Sequence, residues 1–402
     1  MEIGIRKIVV LVLDSLGVGE QPDSYFFNDR GRNTVGHVAD TAGGLKLPNL
    51  EKLGFGNLTY TKGVERNPDS TGFYGKMRSQ ANAKDSVSGH WELCGLITTR
   101  EFNTFYESVP EEFLAELSER TEKEFLVITE NKIEDEFDAY GVEHQVSGKP
   151  ILICYRDSRV MVTGHTDVLS EIDMYILGEN MREIADAHYI ATVGSIFFDG
   201  QPGDFMFKED TIREFIMPSP GPTLIDAMYS KSIPIIGIGK IADIYATSGL
   251  TDMHRPNGNA ETIEKVRELI LDSPQSENGQ VLIFANLPDL DSLYGHKGDA
   301  LGYAKCLEEI DELLPRIIRT LRNEDVLFIC ADHGLDPTGP DQGHTREHVP
   351  VLAYSRLFKP QGKGDLGVRK SYADLAETIA EAYDLNVHYA AESFWSAMVA
   401  QL

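Results

Sequence analysis

Short apolar runs that stop abruptly at polar or charged residues recur along this 402-residue chain. Lys7–Leu13 reads KIVVLVL and stops at Asp14, Pro234–Ile238 reads PIIGI before Gly239-Lys240, and Val281–Phe284 reads VLIF before Ala-Asn-Leu-Pro-Asp. Val326–Cys330 reads VLFIC before Ala-Asp-His-Gly, and Val349–Tyr354 reads VPVLAY just after His348. Runs this short, rich in β-branched residues and lacking polar alternation, predict parallel strands covered on both faces. Helical spacing fills the gaps. Tyr303–Leu321 sets Leu307, Ile310, Leu314, Ile317 and Ile318 on one side, with a kink expected at Pro315. Tyr372–Tyr383 repeats the spacing with Leu375, Ile379 and Ala382. Strands alternating with helices predict an α/β core, a doubly wound and mostly parallel sheet.

The middle of the chain departs from this rhythm. Between Arg100 and Met217 there are 10 Lys/Arg against 26 Asp/Glu, a net −16 of the whole chain's −27. The stretch ends in PSPGP at Pro218–Pro222, a strong turn signal. Residues 99–217 are therefore expected to form a smaller α+β domain, inserted into a core made of 1–98 and 218–402. Within it, Glu107–Glu124 is dense in acid but spaces Phe113, Leu114 and Leu117 as a solvated helix would. The overall charge repels phosphate backbones and anionic lipid, so neither nucleic acid nor a membrane surface is an expected partner. No run approaches the roughly 18–20 apolar residues of a membrane helix. The opening MEIGIRKIVVLVLDSLG breaks at Asp14 without a small-residue cleavage site, which predicts a buried strand, not a signal peptide. Cys94, Cys154, Cys306 and Cys330 form no C-x-x-C pair and are expected as free thiols in a reducing compartment, the cytoplasm.

Polar clusters fall where strands should end, and open α/β sheets bind ligands at those carboxyl ends. Asp14 follows the first run, Asp291 and His296 lie in DLDSLYGH, Asp332 and His333 follow Cys330, and His344 comes twelve residues after Asp332. Three carboxylates with three imidazoles suit two divalent metals, Mn²⁺ or Zn²⁺, in an arrangement common in phosphoryl chemistry. Singly, each Asp also reads as a turn or helix cap and each His as structural. The adjacent Asp332-His333 pair, able to serve two ions, favours the metal reading. A nucleophile is sought in AKDSVSGHWELCG (Ala83–Gly95), where Ser86 and Ser88 precede a helix expected from Trp91. A helix N-terminus favours a phosphoryl group, and a metal would activate the hydroxyl. Plain N-capping by either serine is the competing reading. Gly17-Val18-Gly19 lacks the third glycine of a dinucleotide fingerprint, and Walker A, C-x-P-x-R and G-x-S-x-G motifs are missing.

Taken together, VLDSLGVGEQPD (Val12–Asp23), KDSVSGHWE (Lys84–Glu92), GKIADIY (Gly239–Tyr245), NLPDLDSLYGH (Asn286–His296), ADHGLDPT (Ala331–Thr338) and GHTREHVPVLAYS (Gly343–Ser355) resemble phosphopentomutases, binuclear-metal enzymes of the alkaline phosphatase superfamily. The resemblance implies that Asp291, His296 and His344 hold one Mn²⁺, while Asp14, Asp332, His333 and the nucleophile hold the other. The family's nucleophile is a threonine in K-D-T-x-T-G-H-W-E, and Ser86 stands at the first threonine, keeping the hydroxyl. It further implies a phosphorylated enzyme interconverting (deoxy)ribose 1-phosphate and 5-phosphate through a bisphosphate, with a sugar bisphosphate as activator. The inserted domain is then the family's mobile cap, which shields the phosphoenzyme from water.

The cap is where the chain departs from the family. A phosphopentomutase cap carries a run like R-V-I-A-R-P-F before G-E-P-G-N-F, then an arginine- and histidine-rich string that grips the distal phosphate. Here GQPGDF (Gly200–Phe205) remains, preceded by ATVGSIFF (Ala191–Phe198) without arginine and followed by MFKEDTIREF (Met206–Phe215), whose cations are Lys208 and Arg213. YRDSRVMVTGH (Tyr155–His165) keeps Asp157, Ser158 and His165 and adds Arg156 and Arg159, which either replace the clamp or pair with the abundant carboxylates. Lys240, Asp157, Arg156 and Arg159 are thus the candidate substrate contacts. An acidic cap is a poor partner for a doubly phosphorylated sugar, so a second reading stays open: a phosphomutase or phosphatase of the same superfamily acting on another phosphorylated alcohol, including one bearing a cation. A non-catalytic sensor binding metal and a phosphorylated ligand is a third reading. The complete ligand set and the hydroxyl argue against it.

Overall fold

The computed structural model describes residues 4–401 apart from 104, 106–108, 156, 157, 246 and 247, so Arg156 and Asp157 lie outside the described residues. The chain forms two compact units, Met1–Arg100 with Ser219–Leu402, and Glu101–Pro218. In chain order the strands are β1 (Lys7–Leu13), β2 (Phe73–Met77), β3 (Leu126–Thr129), β4 (Ile151–Cys154), β5 (Arg159–His165), β6 (Thr192–Asp199), β7 (Met206–Ile216), β8 (Ile235–Ile238), β9 (Asp252–His254), β10 (Val281–Leu287), β11 (Asp325–Cys330), β12 (Val349–Tyr354) and β13 (Asp365–Arg369).

In the first unit eight strands make one sheet, ordered β13-β2-β12-β11-β1-β10-β8-β9. β1 sits between β10 and β11 and runs parallel to both. β8 and β9 continue the parallel half. Every residue of β1, β8, β10 and β11 is buried, which is why these strands read as unbroken apolar runs. The carboxyl ends of β1, β8, β10 and β11 therefore open on one edge, and Asp14, Lys240, Asp291 and Asp332 follow them.

Three expectations are corrected. Val349–Tyr354 is antiparallel to β11 and to β2, not parallel. β10 runs on past Phe284 to Leu287, because Leu287 stays in register with Leu13. The helix expected from Trp91 starts at Ser86 and spans Ser86–Leu93. Its N-cap is neither serine but Asp85, whose carboxylate accepts from the Ser88 N–H at 2.9 Å and the Ser88 hydroxyl at 2.7 Å. A charged acceptor complements the positive helix end better than a hydroxyl does. The two helices expected from their spacing occupy Ala300–Thr320, with Pro315 inside it, and Ala373–Ala382.

The second unit is a five-stranded mixed sheet, ordered β3-β4-β5-β6-β7. Helices Glu111–Thr121 and Glu171–Ala187 bury Phe113, Leu117, Met174, Leu177 and Met181 in one apolar cluster with Leu152, Val160 and Val193 of the sheet. Helix Ile133–Ser147 contributes Phe137 to another, with Leu126, Ile128 and Phe198. The acids of Glu111–Thr121 leave its apolar face free to pack, so the high charge is compatible with a folded unit. Among the described residues no helix is long and apolar enough to cross a membrane. All four cysteines are buried and free.

Helix Ser86–Leu93 is anchored from its other end by Glu92. This fully buried carboxylate accepts from the Ser79 hydroxyl at 2.8 Å, the Gln80 and Ala81 amides, the Ser371 hydroxyl at 2.7 Å and the Tyr372 amide at 3.1 Å. Removing it strands several buried donors at once. Glu92→Ala should destabilise the folded chain by about 3 kcal/mol, read as a lower urea midpoint at constant slope; an unchanged midpoint would refute the anchor.

Candidate active site

Each of the six residues predicted at a strand end has a described position, and their side chains converge with those of Ser86 and Lys240. His333 Nε2 lies 2.9 Å from Ser86 Oγ, 3.2 Å from Asp332 Oδ2 and 3.6 Å from Asp14 Oδ1. Asp291 Oδ1 lies 3.5 Å from His296 Nε2 and 3.6 Å from His344 Nε2, and the two imidazole nitrogens are 3.2 Å apart. The rings of His333 and His344 stack with centroids 3.8 Å apart. Lys240 joins the two groups, its Nζ 2.8 Å from Asp14 Oδ2 and 2.9 Å from Asp291 Oδ2. Two sets of possible ligand atoms each lie within 4.8 Å of one another: Asp291 with His296 and His344, and Asp14 with Asp291 and His333.

The local chain explains this convergence. Asp14 leaves β1 directly, and the next residue, Ser15, takes a left-handed φ of 69° that turns the chain sharply. The turn is pinned: the Ser15 amide donates to Asp332 Oδ1 at 3.2 Å, and the Tyr303 hydroxyl donates to the Ser15 carbonyl at 3.1 Å. Asp291 lies in a one-turn π-helix, Leu290–Gly295, whose wide turn delivers both Asp291 and His296. Gly89 lets helix Ser86–Leu93 lie directly on the Asp332 carbonyl; a Cβ there would collide with it.

Electrostatics separate the carboxylates. Burial, with Asp332 beside it, pushes Asp14 up to about 7. Burial alone would raise Asp291 as well, but Lys240 and the imidazoles of His296 and His344 hold it well below the usual range. Burial works against the Lys240 charge, yet Asp14 and Asp291 keep its ammonium more firmly protonated than usual. Burial and the neighbouring His333 push His344 down to about 3, so it is a neutral imidazole able to offer a lone pair. Three carboxylate oxygens, on Asp14 (Oδ1), Asp291 (Oδ1) and Asp332 (Oδ2), are buried yet accept no hydrogen bond. His296 is oriented from behind, its Nδ1 2.8 Å from the Gln342 carbonyl, which leaves Nε2 facing Asp291.

Sequence reasoning passed over several residues that build the site. Asp85 caps the helix of Ser86. His90, fully buried, bonds the Ser86 carbonyl at 2.7 Å and approaches Asp332 Oδ2 at 3.4 Å. Glu347, also buried, accepts from the Gly19 and Thr34 amides and the Thr34 and Thr345 hydroxyls. They lie in the polar strings KDSVSGHWE and GHTREHVP, whose letters alone do not separate a buried polar group from an exposed one. In the second unit, Ser158 and His165 are tied into the unit's own fold. The Ser158 hydroxyl donates to the Asn103 carbonyl at 2.6 Å, and His165 Nε2 lies 3.2 Å from the Gly200 carbonyl. The Arg159 guanidinium lies over the Tyr155 ring, 5.3 Å from its centroid.

The Metalloenzyme superfamily profile matches residues 6–387. A phosphopentomutase of Caldanaerobacter subterraneus subsp. tengcongensis is 40% identical over 391 residues, 97% of each chain. Those of Desulfitobacterium hafniense and Thermotoga maritima are 37% and 36% identical, each over 94% of this chain and 95% of the relative. The solved phosphoglycerate mutase of Leishmania mexicana superposes at a TM-score of 0.51 with 12% identity over 97% of both chains, a likeness of fold. With such identity sustained over nearly the whole length, and with carboxylates and imidazoles able to take a divalent metal gathered at the sheet edge, the chain belongs to the phosphopentomutase family, intramolecular phosphotransferases of the alkaline phosphatase superfamily.

Proposed function

We propose that this chain interconverts ribose or deoxyribose 1-phosphate and 5-phosphate through a phosphorylated Ser86, in the cytoplasm, with two divalent cations, most simply Mn²⁺. The observation that carries the reading is the position of Ser86 Oγ. It opens the first turn of its helix, 2.9 Å from His333 Nε2, beside carboxylates with unused lone pairs.

The residues fit such cations. Buried carboxylate oxygens without hydrogen-bond donors and an imidazole held neutral are what Mn²⁺ or Zn²⁺ ligation requires. Asp291, His296 and His344 would hold one ion; Asp14, Asp332, His333 and Ser86 the other. When bound, the ions supply Lewis-acid stabilisation of phosphoryl charge and favour the ionised hydroxyl.

Within that frame the chain's own groups divide the work. The phosphoserine gives its phosphoryl group to the free hydroxyl of the sugar monophosphate, the Ser86 O–P bond breaking as the sugar O–P bond forms, which leaves a sugar bisphosphate. Ser86 Oγ then attacks the phosphorus at the other end in line, re-forming its O–P bond as the bond to that sugar oxygen breaks, and releases the isomeric monophosphate with the enzyme phosphorylated again. The N-terminus of helix Ser86–Leu93 favours the dianion, and Asp85 holds that first turn in place. Lys240, kept fully charged, offsets phosphate charge near Asp14 and Asp291. A sugar bisphosphate would prime the resting enzyme.

One observation favours a second substrate. The inserted residues Arg100–Met217 carry net −16, with Lys208 and Arg213 as the only cations in Met206–Phe215. A phosphorylated alcohol bearing a cation would suit that surface better than a bisphosphate. Following ribose 5-phosphate and free phosphate together, in Mn²⁺-loaded enzyme given ribose 1-phosphate and a sugar bisphosphate, separates the readings. Isomerisation with little free phosphate is the expected result; none at all would send the search to other substrates.

Substitutions test the roles. Ser86→Ala should abolish phosphate incorporation into the protein while Ser88→Ala largely keeps it, and the reverse would move the nucleophile. Asp332→Ala should lose one metal per chain by elemental analysis; full retention would refute that ligand. Gly89→Ala, which forces the helix off the Asp332 carbonyl, should lower turnover about 100-fold with the far-UV spectrum unchanged.

A further inference from the structure

We propose that Arg346 is a positioning residue for phosphoryl transfer: its guanidinium sets the segment that presents Ser86 against the segment that carries His344. The inference rests on Ser86 being the nucleophile.

Arg346 lies two residues after His344 and is 4% exposed. A buried guanidinium has five N–H donors to satisfy, and here all five are used. Nη1 donates to the Ala81 carbonyl at 2.7 Å and the Ala83 carbonyl at 3.1 Å. Nη2 donates to the Ser79 carbonyl at 2.9 Å and to Asp23 Oδ2 at 2.8 Å, and Nε reaches the same carboxylate at 3.2 Å. The ring of Phe27 covers the guanidinium, 4.5 Å from its centroid.

Three of the acceptors are backbone carbonyls of alternate residues in one short stretch. That stretch, 79–83, leads straight into Lys84, Asp85 and Ser86. A second tie runs through the backbone of Arg346. Its amide donates to Asp29 Oδ2 at 2.8 Å, and the same oxygen takes Lys84 Nζ at 2.7 Å. The chain immediately before the nucleophile is thus held at four successive points by Arg346 or by the carboxylate that Arg346 orients.

The geometry of the donor decides its identity. A planar fork of five donors spans carbonyls that a lysine ammonium, with three donors around one point, cannot reach together. What the fork adds is a common frame for Ser86 and the segment of His344 and Thr345; the paired backbone bonds of Thr345 with Gly334 carry that frame to His333, whose Nε2 lies 2.9 Å from Ser86 Oγ. Displacement of a nucleophile by about 1 Å costs on the order of 100-fold in rate.

The test compares single-turnover phosphorylation of Mn²⁺-loaded wild-type protein, Arg346→Lys and Arg346→Ala, using a sugar bisphosphate as phosphoryl donor. Arg346→Lys should keep its metal content and bind the donor within about threefold of wild type, yet incorporate phosphate about 100-fold more slowly. Guanidinium ion at non-denaturing concentration should restore part of the rate in Arg346→Ala and none in Arg346→Lys. A wild-type rate in Arg346→Lys, or a loss matched by loss of metal, would overturn the proposal. Should Arg346→Lys fail to fold, Asp23→Asn, which removes the charged partner of the fork, should slow incorporation about tenfold, and a wild-type rate there would overturn it equally. Persistent incorporation in Ser86→Ala would instead overturn the nucleophile reading on which the proposal stands.

Discussion

Three carboxylates buried side by side beyond the carboxyl ends of the parallel strands are the constraint on which the core depends. Asp14 is 0% exposed, Asp332 1% and Asp291 3%, and among the described residues the one ammonium between them is that of Lys240. Like charges removed from water and held together are costly unless cations compensate them. The protein's own compensation is incomplete. Lys240 and the imidazoles hold Asp291 ionised, while Asp14 is driven up to about 7. A fold tuned for stability alone would replace such a cluster with apolar residues. That it is kept, with lone pairs unused, is the physical signature of a cation site.

The sheet makes the cluster possible. Carboxyl ends of β1, β8, β10 and β11 fall on one edge because those strands run parallel, and sequence-distant residues meet there without long excursions of the chain. The local chain then does the fine work: the left-handed turn at Ser15, the π-turn that brings Asp291 and His296 to one place, and the bare face of Gly89. Each is an irregularity that stability alone would not select, and each lies within a few residues of Asp14, Asp291 or Ser86.

These irregularities also mark the limit of what could be read from the chain. β1 and β11 were legible because burial on both faces writes itself as an unbroken apolar run, and Asp14 and Asp332-His333 stood out as the polar residues that end such runs. β2 was not legible: it alternates buried and half-buried residues in FYGKM, with a glycine and a lysine among them. The direction of β12 was hidden as well, since an apolar run does not say which way its strand points. The cap of the Ser86 helix was open for a related reason. Asp85, Ser86 and Ser88 are all good N-caps by type, and the folded chain gives the role to the charged one, leaving the Ser86 hydroxyl turned to His333. Glu92, Arg346 and Glu347 escaped notice because a buried hub has the same one-letter signature as a surface charge.

The division of labour along the chain follows from this. Ser86, the carboxylates, the imidazoles and Lys240 all belong to the unit formed by Met1–Arg100 and Ser219–Leu402. Tolerances there are tight, because a shift of about 1 Å between reacting groups costs orders of magnitude in rate. Glu101–Pro218 carries none of these groups, and its surface charge is free of that constraint. Electrostatic complementarity to a substrate changes by single exposed residues, without disturbing a buried core. A chain can therefore keep a buried phosphoryl-transfer site while the exposed charges of an inserted unit change. Similarity over the whole length then speaks most strongly for the chemistry of the transferred phosphoryl group, and the proposal that the inserted unit's exposed charges select the molecule carrying it rests on that difference in tolerance.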